Sequence, residues 1–163
     1  MDVIGPITPP TAKGRRCILA ITNYFSKWME AIPFREMKTS NKIKFIKHHV
    51  IYRYGIPRQV VRDNGHRFFN QAFQRFCNKF RTQSISSTAC YPAANSLVEA
   101  FNKIINKLLK KFISKSQCDW DEKLCECLWA YHTTLRTLTK ATPFSLMHGC
   151  EVMLSLEIQI PSL

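Results

Sequence analysis

At 163 residues with a formal net charge of +13, the chain is long enough to close one good core and basic enough to attract a dense polyanion. Its 45% hydrophobic and 12% aromatic content excludes a disordered or fibrous chain, and no apolar run approaches the length of a membrane span or a signal-peptide core. A soluble, intracellular protein with a nucleic-acid partner and no membrane partner is therefore expected. Seven cysteines, an odd number without a C-x-x-C pair, read as reduced thiols rather than a disulfide framework or a zinc site. The closest pair, Cys125 and Cys127, would point in different directions on a helix.

Taken in order, residues 1–4 form a strand fragment stopped by Gly5 and Pro6, and residues 8–16 form a loop rich in Pro, Thr and Gly. Residues 17–24 and 27–34 read as an antiparallel strand pair. Thr39 or Ser40 can cap a helix running to about Tyr54, with Ile43, Ile46, Val50 and Tyr54 on one face and Gly55 to Pro57 ending it. Residues 59–63 are a short buried strand broken by the turn Asn64-Gly65. Residues 71–80 carry Phe73, Phe76, Cys77 and Phe80 at helical spacing, and 82–88 is a further strand. From Asn95 to about Ser114, the set Leu97, Val98, Phe101, Ile104, Ile105, Leu108, Leu109 and Phe112 describes an amphipathic helix. A last helix runs from Asp119 to about Leu138. Strands first, then alternating helix and strand, then helices, predict an α/β layered domain with a mixed sheet.

Three carboxylates stand out against this basic background. Asp2 and Asp63 are two of only four aspartates, both at strand ends, and Glu99 opens the amphipathic helix. A carboxylate in an apolar segment is costly unless it is paired, hydrogen-bonded or holding a metal. On the helix, Glu99, Lys103, Asn106 and Lys110 fall within roughly 60° of one another at about 100° per residue, so one acid sits above a row of amines and amides. Ligands of open α/β sheets gather at the carboxyl ends of strands, where Asp63 lies. Acids to hold divalent cations, backed by cations to hold a polyanion, are what phosphodiester chemistry needs.

Several segments carry a specific resemblance: residues 1–7 (MDVIGPI), 22–31 (TNYFSKWMEA), 54–57 (YGIP), 62–65 (RDNG), Tyr91-Pro92, 98–102 (VEAFN), 129–131 (WAY) and 142–144 (TPF). Over nearly its whole length the chain resembles the integrase catalytic core of Ty3/gypsy-type retrotransposon polyproteins. In that family 35 residues separate the second and third metal-binding acids, and 35 residues lie between Asp63 and Glu99 here. The resemblance implies a ribonuclease H-like α/β fold, with a mixed five-stranded sheet flanked by helices. It also implies Asp2, Asp63 and Glu99 as catalytic ligands of Mg²⁺ or Mn²⁺, and DNA contacts from Asn95, Asn102, Lys103, Asn106, Lys107 and Lys110. The activity implied is trimming of element DNA ends and their joining to target DNA, in the nucleus, by a homodimer or higher multimer.

Residues 1–163 are accordingly expected to be a single integrase core. The same reading expects a first strand cut short at its N-terminus and neither a zinc-binding nor a C-terminal DNA-binding module within residues 1–163. The short strand holds Asp2 from a frayed end, so loss of activity is an expected consequence. Where the family usually has Gly and Gln, this chain has Ser96 and Leu97. Two other readings stand beside the integrase: a non-catalytic remnant or co-opted nucleic-acid-binding module, and a ribonuclease H-like nuclease. Ser96 and Glu99 also have capping-box spacing. Asp119, Asp121 and Glu122 are expected to cap the last helix, the five histidines to be structural or surface groups, and Trp28, Trp120 and Trp129 to lie in the core.

Overall fold

The computed structural model describes residues 1–62, 70–86, 120–137 and 139–153. Its first three strands, β1 (Asp2–Ile4), β2 (Cys17–Thr22) and β3 (Met29–Phe34), form an antiparallel sheet in which Asp2 faces Ala20 and Thr22 faces Met29. Two more, β4 (Gln59–Arg62) and β5 (Gln83–Ser86), pair in parallel. Among the described residues five strands are thus present, in mixed directions, hydrogen-bonded as three and two rather than as one continuous sheet. The two sets meet where the Met1 amino group donates to the Val61 carbonyl at 2.7 Å.

Gly5 lets the chain leave β1. At φ 132° it passes so close to β2 that a Cβ would lie 2.7 Å from the Arg16 carbonyl oxygen, which only glycine tolerates. After β3, α1 (Thr39–Phe45) runs without a break through a π-helical segment (Ile46–Ile51) into a final turn, α2 (Tyr52–Tyr54), which Gly55 ends at φ 88°. The expected side-chain cap is not made: Lys38 occupies the N-cap position, and the Thr39 hydroxyl instead accepts a hydrogen bond from the Asn70 amide at 3.1 Å. Asn70 in turn caps α3 (Gln71–Lys79) by accepting from Ala72 N, so one side chain starts α3 and ties it to α1.

The last two helices are α4 (Trp120–Thr133) and α5 (Pro143–His148). The former stops short of the expected Leu138, which lies outside the described residues. Past Thr133 the backbone pairs Arg136 with Ala141 across a turn instead. Thr142 caps α5, Pro143 takes its first turn and Gly149 closes it in the left-handed conformation, a complete set of start and stop devices.

Why β2 reads as an unbroken apolar run is clear from what covers it. Ile18 and Ala20 face Trp120, Leu124 and Tyr131 of α4, while Leu19 faces Phe45, Ile46, Phe73 and Phe76 from α1, the π segment and α3. Helices therefore cover both faces, as period-2 side chains require. Ile18 and Leu19 are fully buried, each worth about 2 kcal/mol of apolar transfer. Trp120 is core as expected, Trp28 is half-buried, and Trp129 is corrected to a half-exposed position at the outer face of α4. Cys125 is exposed and Cys127 buried, in line with their opposed directions on the helix.

Candidate metal-binding edge and its surroundings

Of the residues expected to act, Asp2 is the one the structure describes. Asp63, Glu99, Asn95, Asn102, Lys103, Asn106, Lys107 and Lys110 lie outside the described residues. Asp2 is half-buried on β1, and its Oδ1 accepts the Val3 amide at 2.7 Å. The bond from Met1 N to Val61 O fixes the N-terminal end of β1 against β4. Asp2 is one residue along the chain from that bond, and Asp63 is two. Strand β4 ends at Arg62, whose guanidinium donates to Ser84 on β5 at 2.9 Å. Among the described residues no three His, Cys, Asp or Glu side chains converge as a metal site.

A second cluster was not foreseen. Glu30, with 13% of its side chain exposed, accepts from Trp28 Nε1 at 3.1 Å, Arg53 Nη1 at 3.1 Å and Tyr54 Oη at 2.7 Å, and His49 Nδ1 is 3.7 Å away. Burial, reinforced by the Glu30 carboxylate, pushes the Tyr54 phenol up to about 12. The same carboxylate holds Arg53 above its ordinary value, while burial draws His49 below its own against the pull of Glu30. Trp28 immediately precedes β3 and Glu30 is two residues further on; that local spacing was the available signal. The contribution of Arg53 and Tyr54 came from across the fold and left no local trace.

The acids at the start of α4 are also placed. Asp121, buried, pairs with Arg15 at 2.9 Å, and Glu122 pairs with Lys13 at 3.1 Å. They sit in the first turn, as expected for acids that favour the helix dipole, and additionally clamp the loop before β2. His132 is buried with Nε2 2.9 Å from the Met29 carbonyl oxygen, a structural role as expected. No helix among the described residues is long and apolar enough to cross a membrane.

Element order, helices on both faces of the strands, and the junction of β1 with β4 are those of a ribonuclease H-like α/β fold. Solved structures agree. The chain superposes on the integrase in the intasome of simian T-cell lymphotropic virus bound to the PP2A regulatory subunit B56 gamma, with TM-score 0.72, 25% identity, and coverage of 90% of this chain and 54% of that one. It also superposes on the HTLV-2 integrase catalytic core in complex with magnesium, trimeric form, with TM-score 0.69, 22% identity, and 90% and 95% coverage.

Sequence relatives narrow the class. The retrovirus-related Pol polyprotein of transposon 412 from Drosophila melanogaster is 25% identical over 149 residues, 91% of this chain. The transposon Tf2-3 polyprotein of Schizosaccharomyces pombe is 24% identical over 163 residues, 99% of this chain. The chain spans 12% of the length of each of these relatives. No family model matches the sequence. The chain thus resembles the integrase region of LTR retrotransposon polyproteins in sequence and retroviral integrase cores in fold.

Proposed function

We propose that this chain is the DNA-processing core of a retrotransposon integrase, catalysing metal-dependent trimming of element 3′ ends and their transfer into target DNA. The observation that carries the reading is the Met1–Val61 hydrogen bond, which sets the strand bearing Asp2 beside the strand that leads into Asp63. Asp2, Asp63 and Glu99 would supply hard carboxylate oxygens, the donor type that suits Mg²⁺ or Mn²⁺, and the pairing of β1 with β2 supports this reading by holding Asp2 on an ordered strand. When bound, a divalent cation supplies Lewis-acid polarisation of the phosphodiester. The residues Asn95, Asn102, Lys103, Asn106, Lys107 and Lys110 bind and orient the DNA backbone. A net charge of +13 draws DNA to the protein. Action in the nucleus, as a homodimer or higher multimer, is part of the same proposal; the HTLV-2 core has been solved in dimeric and trimeric forms.

Nicking and strand transfer on a branched DNA substrate with Mg²⁺ or Mn²⁺ tests the reading. Asp63→Asn and Glu99→Gln should each abolish both reactions, and activity surviving either change refutes the metal-site assignment. Nicking without joining would favour a ribonuclease H-like nuclease. A non-catalytic nucleic-acid-binding module has one observation in its favour: Asp2 already spends Oδ1 on its own backbone at 2.7 Å. That alternative expects salt-sensitive DNA binding with no turnover in either metal.

A further inference from the structure

The connection between β2 and β3 is a built aromatic projection. Asn23 Oδ1 accepts from Phe25 N at 2.9 Å and Ser26 N at 3.1 Å, folding the turn around one amide side chain. Lys27 is held in the left-handed region at φ 57°, with its amide bonded to the Asn23 carbonyl at 3.1 Å. Its ammonium bonds to the Tyr24 carbonyl and lies 4.5 Å from the Tyr24 ring centre. Tyr24 meets Phe25 edge-on at 5.4 Å. The cation thus occupies one face of Tyr24, while Phe25 is 82% exposed. An aromatic ring fixed by its own turn and left in water is a ready stacking platform.

Beside this ring lies an open groove of about 340 Å³, lined by Asn23, Phe25, Ser26 and, from α5, Leu146 and Met147. It combines apolar walls with the amide and hydroxyl of Asn23 and Ser26. Lys27 and His148 follow the lining residues Ser26 and Met147 in the chain, and no carboxylate is among the described residues that line it. These surroundings suit an anionic strand, and the ring suits a planar base. The register adds position. Asp2 faces Ala20, and Phe25 lies five residues further along the hairpin, in its turn.

We propose that the turn at residues 23–27, with the groove between it and α5, docks an unpaired nucleobase of a DNA strand by stacking it on Phe25. The inference rests on the DNA-processing reading and adds to it a base-level contact away from the acids. An apolar face of a second copy of the chain is the competing occupant.

Binding of the full chain to duplex DNA with a single-stranded overhang, measured by fluorescence anisotropy across a salt series, tests this. Phe25→Ala should weaken overhang binding about tenfold, leave the salt slope unchanged and spare blunt duplex, because stacking releases no counterions. Phe25→Trp should restore affinity. An abasic residue at the contacted overhang position should reproduce the loss, and Phe25→Ala should add nothing to it. Unchanged overhang affinity in Phe25→Ala, with a steep wild-type salt slope intact, overturns this proposal and leaves the DNA reading standing. A wild-type chain with no salt-dependent DNA binding overturns both. A Phe25→Ala chain that loses self-association in sedimentation without DNA while keeping overhang affinity overturns the proposal in favour of a second copy.

Discussion

The indole of Trp28 and the imidazole of His132 lie face to face, centroids 3.7 Å apart and planes 5° from parallel. The stack joins the residue just before β3 to α4, and His132 Nε2 donates to the Met29 carbonyl at 2.9 Å. Burial holds His132 below its ordinary value, opposed by the bond to Met29 and by Glu30, and assisted by Arg136 and His148. The half-buried His49 is lowered in the same direction.

A depressed histidine binds protons more readily in the unfolded chain than in the folded one. Stability should therefore be greatest above the ordinary histidine value of about 6.5 and fall as pH drops below it. Urea denaturation at about pH 7.5 and about pH 5.5 should show the loss, and His132→Phe should reduce its size. A slope unaffected by the substitution would assign the effect elsewhere.

Tyr54 behaves in the opposite sense. Its phenol is raised to about 12, so the folded chain retains a proton that the unfolded chain releases near 10. The associated stability is complete below pH 10 and lost as pH rises towards 12. Tyrosinate absorbance during alkaline titration should place Tyr54 late together with the buried Tyr131, and Glu30→Gln should bring only the Tyr54 step earlier. Glu30→Ala should also destabilise the fold by roughly 1–3 kcal/mol, because Trp28 Nε1 and the Tyr54 hydroxyl lose their acceptor, whereas the half-exposed Arg53 can turn to water.

The two ion pairs that clamp the loop before β2 should differ in worth. Asp121 has 3% of its side chain exposed and Arg15 37%, so Asp121→Ala should cost roughly 1–3 kcal/mol and speed proteolysis within residues 8–16. Lys13 and Glu122 are more than half exposed, and Glu122→Ala should change stability by less than about 0.5 kcal/mol. Denaturation midpoints of the two variants give the comparison directly.

Leu19 and Phe25 make a matching contrast in the hairpin. Leu19→Ala should lose about 2–5 kcal/mol, since Leu19 has no exposure and packs against two helices. Phe25→Ala should fall within about 0.5 kcal/mol of wild type despite removing the larger side chain.

The elements were legible where periodicity and breakers agree. Gly5-Pro6, Gly55 and the apolar run around Ile18 to Ala20 mark boundaries and a strand that the structure reproduces. Long-range polar contacts were not. Nothing near Glu30 in sequence announces Arg53 or Tyr54, which arrive through a helix of different register. Lys42 shows the limit of residue type as a guide: it lies four residues before Ile46 on the inward stripe and is 1% exposed, although a lysine ordinarily faces water. For the site, the family motif named three acids, and β1 places Asp2 at the junction with β4. Trp129 was misjudged because an aromatic at helical spacing reads as core whichever side of the stripe it falls on.

The π-helical segment at Ile46–Ile51 makes chain length matter at the level of one amino acid. Each of its i→i+5 bonds encloses one residue more than an α-helical bond, and that surplus sets the angle at which Arg53 and Tyr54 emerge towards Glu30. Removing a single residue there and restoring α-helical winding would swing both side chains by about 100° away from the carboxylate. The number of residues in this segment thus matters more than their identity, and a one-codon deletion would be more damaging here than most substitutions.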